Sequence, residues 1–223
     1  MNCKYKISFL VFFACLYLLT VPCFSQMVDE EKNIDGKVKN FLESWKDRWR
    51  DMNVSEADGK ALYDLIIKNK YKKALEIGTS TGHSAIWIAW ALSKTGGKLI
   101  TIEINEGRYN QAVENFKEAG LSEFIDARLA DAHELVPELQ GPFDFIFMDA
   151  DRNWYINYTE SLLPKLEVGG CLTTHNISDR RGRWGSDGTR KFLDYLKSLN
   201  YIDTSILEVS RAGLSVSYKR QEK

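Results

Sequence analysis

Five apolar stretches of this chain each end in a polar group able to bind a ligand or move a proton. Glu76 closes "KALE", Glu103 sits in "GKLITIEI" and Asp131 ends "EFIDARLAD"; Asp149 and Asp151 leave "FDFIFMDADRNWY", and His175 with Asn176 ends "GGCLTTHN". Carboxylates accept hydrogen bonds from hydroxyl and amino groups, and an imidazole, with an ordinary pKa near ~6.5, exchanges a proton close to neutrality. The run Phe143 to Met148 is apolar enough to be buried on both faces, yet it releases two aspartates. A lone acid at a strand end can simply meet solvent. A set of them after five successive strands points instead to one shared crevice.

The elements that must position these groups follow from periodicity. From Lys73 onward, strand-like segments alternate with helical ones, and the last two, "YIDTSILEV" and "GLSVSYK", are joined too closely for a crossover helix. Such alternation predicts an α/β fold: a doubly wound, mostly parallel seven-stranded sheet with helices on both faces and the final strand antiparallel. Ligands of these open sheets bind outside the carboxyl ends of the strands, where all the groups above fall. Ahead of the sheet, two helices are expected within residues 36–69. The first carries Val38, Phe41, Leu42, Trp45, Trp49 and Met52 at helical spacing through "GKVKNFLESWKDRWRDM"; the second, "SEADGKALYDLIIKN", is capped by Ser55.

Composition narrows the function classes. The 223 residues have a formal net charge of −1 with acids and bases interspersed, which argues against a nucleic-acid partner. Lys4 and Lys6 precede the apolar run "ISFLVFFACLYLLTV", broken by "PCFSQ", the layout of a signal peptide over residues 1–25. The run is short for a span of roughly 20 residues, and a retained membrane anchor is the alternative. Export to a periplasmic or extracellular compartment is therefore expected, followed by a single domain over 26–223. Removal of the leader takes three of the four cysteines, leaving Cys171 without an internal disulfide partner.

The turn "EIGTSTGHS" places Gly78 and Gly82 between a strand and a helix start. Its spacing is not the G-x-G-x-x-G that cradles a dinucleotide pyrophosphate, which disfavours a nicotinamide oxidoreductase and favours a nucleoside without a phosphate to hold. Glu103 follows Gly78 by 25 positions, where an acid can accept both ribose hydroxyls.

Glycine turn, acid and "DADRNWY" together resemble the class I S-adenosylmethionine-dependent O-methyltransferases of the catechol and caffeoyl-CoA type, over nearly all of the chain from Ser55 to Tyr218. The resemblance implies methyl transfer to a hydroxyl of a small acceptor, aromatic or anionic. It implies Glu76, Gly78 and Ser84 around the methionine part of the cofactor, Glu103 on the ribose, Asp131 and Ala132 near the adenine, and Asp149 and Asp151 facing the cofactor. It also implies a divalent metal on Asp149 and on an Asp-Asn pair after the next strand, with a lysine to remove the acceptor's proton.

This chain departs from that pattern where the chemistry would occur. The Asp-Asn pair reads His175-Asn176, and the lysine position is Arg152, which cannot act as a base because its pKa stays above ~12. Two arrangements follow. Asp149, His175 and Asn176 hold a metal, with Mn²⁺, Fe²⁺ or Zn²⁺ suited better than Mg²⁺; or the site is metal-free and His175 takes the proton itself. Arg180, Arg181, Arg183 and Trp184 are expected at the lip of the acceptor pocket, with Trp154 as a wall, Trp87 and Trp90 in the core, and His133 near the adenine edge. The altered positions also admit an exported small-molecule-binding protein without turnover. Trp45 and Trp49 are candidates for a homodimer interface or a lid.

Overall fold

The computed structural model describes residues 33–177 and 187–221. The leader at 1–25 and the basic residues Arg180, Arg181, Arg183 and Trp184 lie outside these residues. Among the described residues no helix is long and apolar enough to cross a membrane.

A helix covering residues 33–45 (α1) is followed by α2 (Glu56–Asn69), β1 (Lys73–Ile77), α3 (His83–Thr95), β2 (Lys98–Glu103), α4 (Glu106–Glu118), β3 (Ile125–Leu129), α5 (Ala132–Glu138) and β4 (Phe143–Met148). The chain continues with α6 (Tyr155–Leu162), β5 (Leu166–His175), α7 (Asp187–Ser198), β6 (Ile202–Leu207) and β7 (Leu214–Lys219). The strands form one seven-stranded sheet in the order β3-β2-β1-β4-β5-β7-β6. Strands β1 to β5 pair in parallel, while β7 runs antiparallel to both β5 and β6. The sheet is the one expected from the alternation of segments.

The sheet is buried on both faces because its central strands are apolar on both. In β4, Phe145 and Phe147 enter one core with α1, α2 and α3, while Ile146 and Met148 enter a second core with α5, α6 and α7. The strand order reverses between β1 and β4, so the crevice of a doubly wound sheet opens where these two strands end. Asp149 N–H donates to the Ile77 carbonyl at 2.9 Å, joining the two ends directly.

Two N-terminal expectations are refined. Ser55 caps α2 as read, its hydroxyl accepting from the Asp58 amide at 3.2 Å. The first helix, however, stops at residue 45, so Trp49 and Met52 are not on it. The helical spacing of Trp49 misleads because its partner is distant: its ring stacks on His83 with centroids 4.4 Å apart, and Asp51 pairs with Arg108 on α4. These contacts draw the chain away from the helix axis and across the carboxyl end of the sheet. The α1 ridge is covered within the chain, with Val38 and Phe41 buried and Trp45 packed against them.

Candidate active site

The glycine turn is built by close approach. Gly78 has φ 96°, in the region that favours glycine, and a Cβ there would collide with the Asp149 carbonyl oxygen. Its amide and that of Thr79 donate to the Ile102 carbonyl at 3.0 and 3.2 Å, which pins the turn to the end of β2. Glu103 is fixed in turn: its two carboxylate oxygens accept from the Ser80 amide at 2.7 Å and the Asn105 amide at 2.9 Å. Each oxygen keeps a second lone pair, so the carboxylate is held in place while remaining able to accept from a diol.

These groups line a cleft of about 250 Å³. Gly78, Glu103, Asp131, Ala132, Asp149 and Asp151 all face it, as read from the sequence. Asp131 caps α5 by accepting from the His133 amide at 2.8 Å, and Asp151 accepts from the Asn153 amide at 3.0 Å. The apolar wall was not foreseen: Met52, Ile102, Ile104 and Tyr158 line the same cleft. His133 lines it too, stacked on Trp154 with centroids 3.9 Å apart. Ile104 had a signal in the sequence, an apolar residue directly after the acid Glu103 at the strand end. Met52 carried none, since it is brought there by the Asp51–Arg108 pair, whose two contacts are 2.8 and 2.9 Å.

Glu76 and Ser84 sit elsewhere. Both are buried behind the glycine turn and line neither cleft of the site. Burial pushes the Glu76 carboxyl up to about 8, reinforced by the Asp149 and Glu103 charges and opposed by hydrogen bonds from Ser84 and Thr101. It is therefore uncharged at neutral pH, and its Oε1 has no hydrogen-bond partner.

A second, larger cleft of about 1020 Å³ adjoins the first, the two sharing Met52, Asp149, Ala150 and Asp151. Arg152, His175 and Asn176 line it, and so does Asp58 from the first turn of α2, a residue the sequence reading did not single out. His175 lies between two carboxylates: Nδ1 is 2.9 Å from Asp149 Oδ2 and Nε2 is 3.3 Å from Asp58 Oδ2. Burial alone would push the imidazole's pKa down, but the hydrogen bonds and charges of Asp149 and Asp58 push it up to about 9. Carboxylates only accept, so both ring nitrogens donate and the ring is an imidazolium. The Asp58 carboxyl is opposed by its own burial but held below the usual range by His175, Ser55 and Ser210.

This arrangement changes two expectations. An imidazolium that donates from both nitrogens has no lone pair with which to take the acceptor's proton. Nor do Asp149, His175 and Asn176 present an open ligand set, because the Arg152 guanidinium, donating to Asn176 Oδ1 at 2.7 Å, places a fixed cation against that oxygen. The donor set does not fit a divalent metal. Among the described residues, no group of three or more His, Cys, Asp or Glu is arranged to hold one.

A doubly wound sheet whose crevice holds a fixed strand-end acid and a close glycine turn, opening into a second cleft, has the Rossmann-like methyltransferase architecture. The chain belongs to the O-methyltransferase family, whose model matches residues 28–183. It is 35% identical over 136 residues to caffeoyl-CoA O-methyltransferase 1 of Eucalyptus globulus, covering 59% of this chain and 55% of that protein. It is 32% identical over 169 residues to a catechol O-methyltransferase of Niastella koreensis, covering 71% and 76%. The chain thus spans about half the length of the caffeoyl-CoA relatives it matches. Among solved structures, the O-methyltransferase from Bacillus cereus in complex with SAH superposes with a TM-score of 0.70 at 25% identity, covering 83% of this chain and 91% of that one.

Proposed function

We propose that this protein is an S-adenosylmethionine-dependent O-methyltransferase acting on a hydroxyl of a small acceptor. The observation that carries the reading is the pair of adjoining clefts, one with nucleoside-type groups and one with charged groups, meeting along Asp149 to Asp151. The first cleft fits the cofactor: Glu103 would hold the ribose hydroxyls, Ile104 and His133 would flank the base, Asp131 would lie near the adenine, and Asp151 would accept from the cofactor's amino group. When bound there, S-adenosylmethionine supplies a methyl group on a sulfonium sulfur.

The chain's own residues then do the rest. Asp149 lies at the shared edge, with one oxygen on His175 and the other able to accept the proton of the acceptor hydroxyl. His175 and Arg152 hold positive charge beside the developing oxyanion, which lowers the hydroxyl's pKa and favours the nucleophilic form. Asp149 would hold the acceptor hydroxyl and keep its proton, while transfer of the methyl group would leave the sulfur as a neutral thioether.

Calorimetric titration of S-adenosylmethionine into the full-length chain tests the first half of this reading. Micromolar binding is expected, and a folded sample that binds none would overturn it. A panel of catechols and other vicinal hydroxy-aromatics tests the second half.

The sequence layout of residues 1–25 supports export as part of the same proposal. N-terminal sequencing of the protein from its native host is expected to begin at Gln26. A start that retains the apolar run would favour the anchored form.

A further inference from the structure

We infer that the acceptor cleft operates without a divalent metal because the chain's own side chains engage the would-be ligands: His175 between Asp58 and Asp149, and Arg152 on Asn176. The inference deepens the methyltransferase reading and rests on it for its functional meaning, but its geometry stands alone.

Three observations carry it. First, the ring of His175 occupies the space between the two carboxylates, with contacts of 2.9 and 3.3 Å that leave no opening for an ion between them. Second, the Arg152 guanidinium donates to Asn176 Oδ1 at 2.7 Å, which sets a permanent cation against the third would-be ligand. Third, Asp58 is only 1% exposed, and the oxygen that faces His175 also accepts from the Ser55 hydroxyl at 2.7 Å. A buried carboxylate is costly unless paired, so Asp58 holds the imidazolium where it is.

Charge leads to the same result. A divalent cation brought against Asn176 would be repelled by the Arg152 guanidinium that already donates to it. An aspartate in place of His175 reverses this, since three carboxylates facing one guanidinium leave the deficit that a divalent ion fills. Asp58 is in this sense a positioning residue: it acts through His175.

The test measures Mn²⁺ binding to the full-length chain, read as loss of the free-ion electron paramagnetic resonance signal, beside S-adenosylmethionine calorimetry on the same samples. Wild type is expected to take up no Mn²⁺ at concentrations up to about 1 mM. His175→Asp is expected to gain one ion, bound at least about tenfold more tightly than any wild-type binding and released again by adding Asp149→Asn. One Mn²⁺ bound by wild type below about 100 μM, and lost in Asp149→Asn, would overturn the inference. So would a folded His175→Asp that gains no ion. If that variant does not fold, the wild-type titration decides alone. Failure to bind S-adenosylmethionine, with the metal results as expected, would sink the methyltransferase reading and leave the account of the donor set standing.

Discussion

Asp58 and His175 stand 117 positions apart in the chain and meet at 3.3 Å, an acid from the first turn of α2 against a ring at the end of β5. The contact joins the N-terminal helices to the sheet at the point where the acceptor cleft opens, so chemistry and stability are coupled through it.

Asp58→Asn keeps the shape of the side chain but removes one of the two charges that hold the imidazolium. Breaking a buried pair from one side costs on the order of 3 kcal/mol, and urea unfolding is the measurement. Turnover should fall at least about tenfold while the affinity for S-adenosylmethionine, whose cleft does not include Asp58, stays unchanged. Equal losses in both would mean that Asp58 only supports the fold.

Glu76 titrates in the opposite sense to most carboxyls. Its folded pKa of about 8 lies above the ordinary 4.5, so the stability it contributes is complete below about pH 4.5 and is lost as pH rises through 8. Glu76→Gln is therefore expected to be more stable than wild type at pH 8.5, with the difference shrinking toward pH 5. Thermal melts at the two pH values give the comparison, and a pH-independent difference would refute it.

His83 gives the complementary slope. Burial pushes its pKa down to about 4 against the single Val54 carbonyl that raises it, and Trp87 Nε1 donates to its other nitrogen at 3.1 Å. The unfolded chain takes up this proton between about pH 6.5 and 4 and the folded chain does not, so stability falls as pH drops through that window. Its share is on the order of 3 kcal/mol. Denaturant curves of wild type and His83→Phe should diverge at pH 7 and converge at pH 4.5; parallel pH dependence would show that the ring is not held neutral.

Gly78→Ala tests the close approach of β1 and β4. The added methyl collides with the Asp149 carbonyl oxygen in a backbone with φ 96°, so the strand ends must part. A loss of at least about 2 kcal/mol is expected, together with a tenfold or greater loss of S-adenosylmethionine affinity by calorimetry. An unaltered affinity would place the cofactor away from the turn.

The sequence by itself determined the sheet, because alternation of apolar strands and helices is a local pattern and each strand's polar end is written in the residue that follows it. Gly78, Glu103, Asp131, Asp149 and Asp151 were legible for that reason, and so was the Ser55 cap. Tertiary structure alone decided what lies across the crevice. The first helix ends at residue 45 although Trp49 keeps helical spacing, because stacking on His83 and the Asp51–Arg108 pair outweigh one more helical turn. Asp58 reads locally as an ordinary acid in the first turn of a helix. Only the packing of α2 against the end of β5 turns it into the partner that holds His175 charged, and no periodicity records a contact between elements so far apart in the chain.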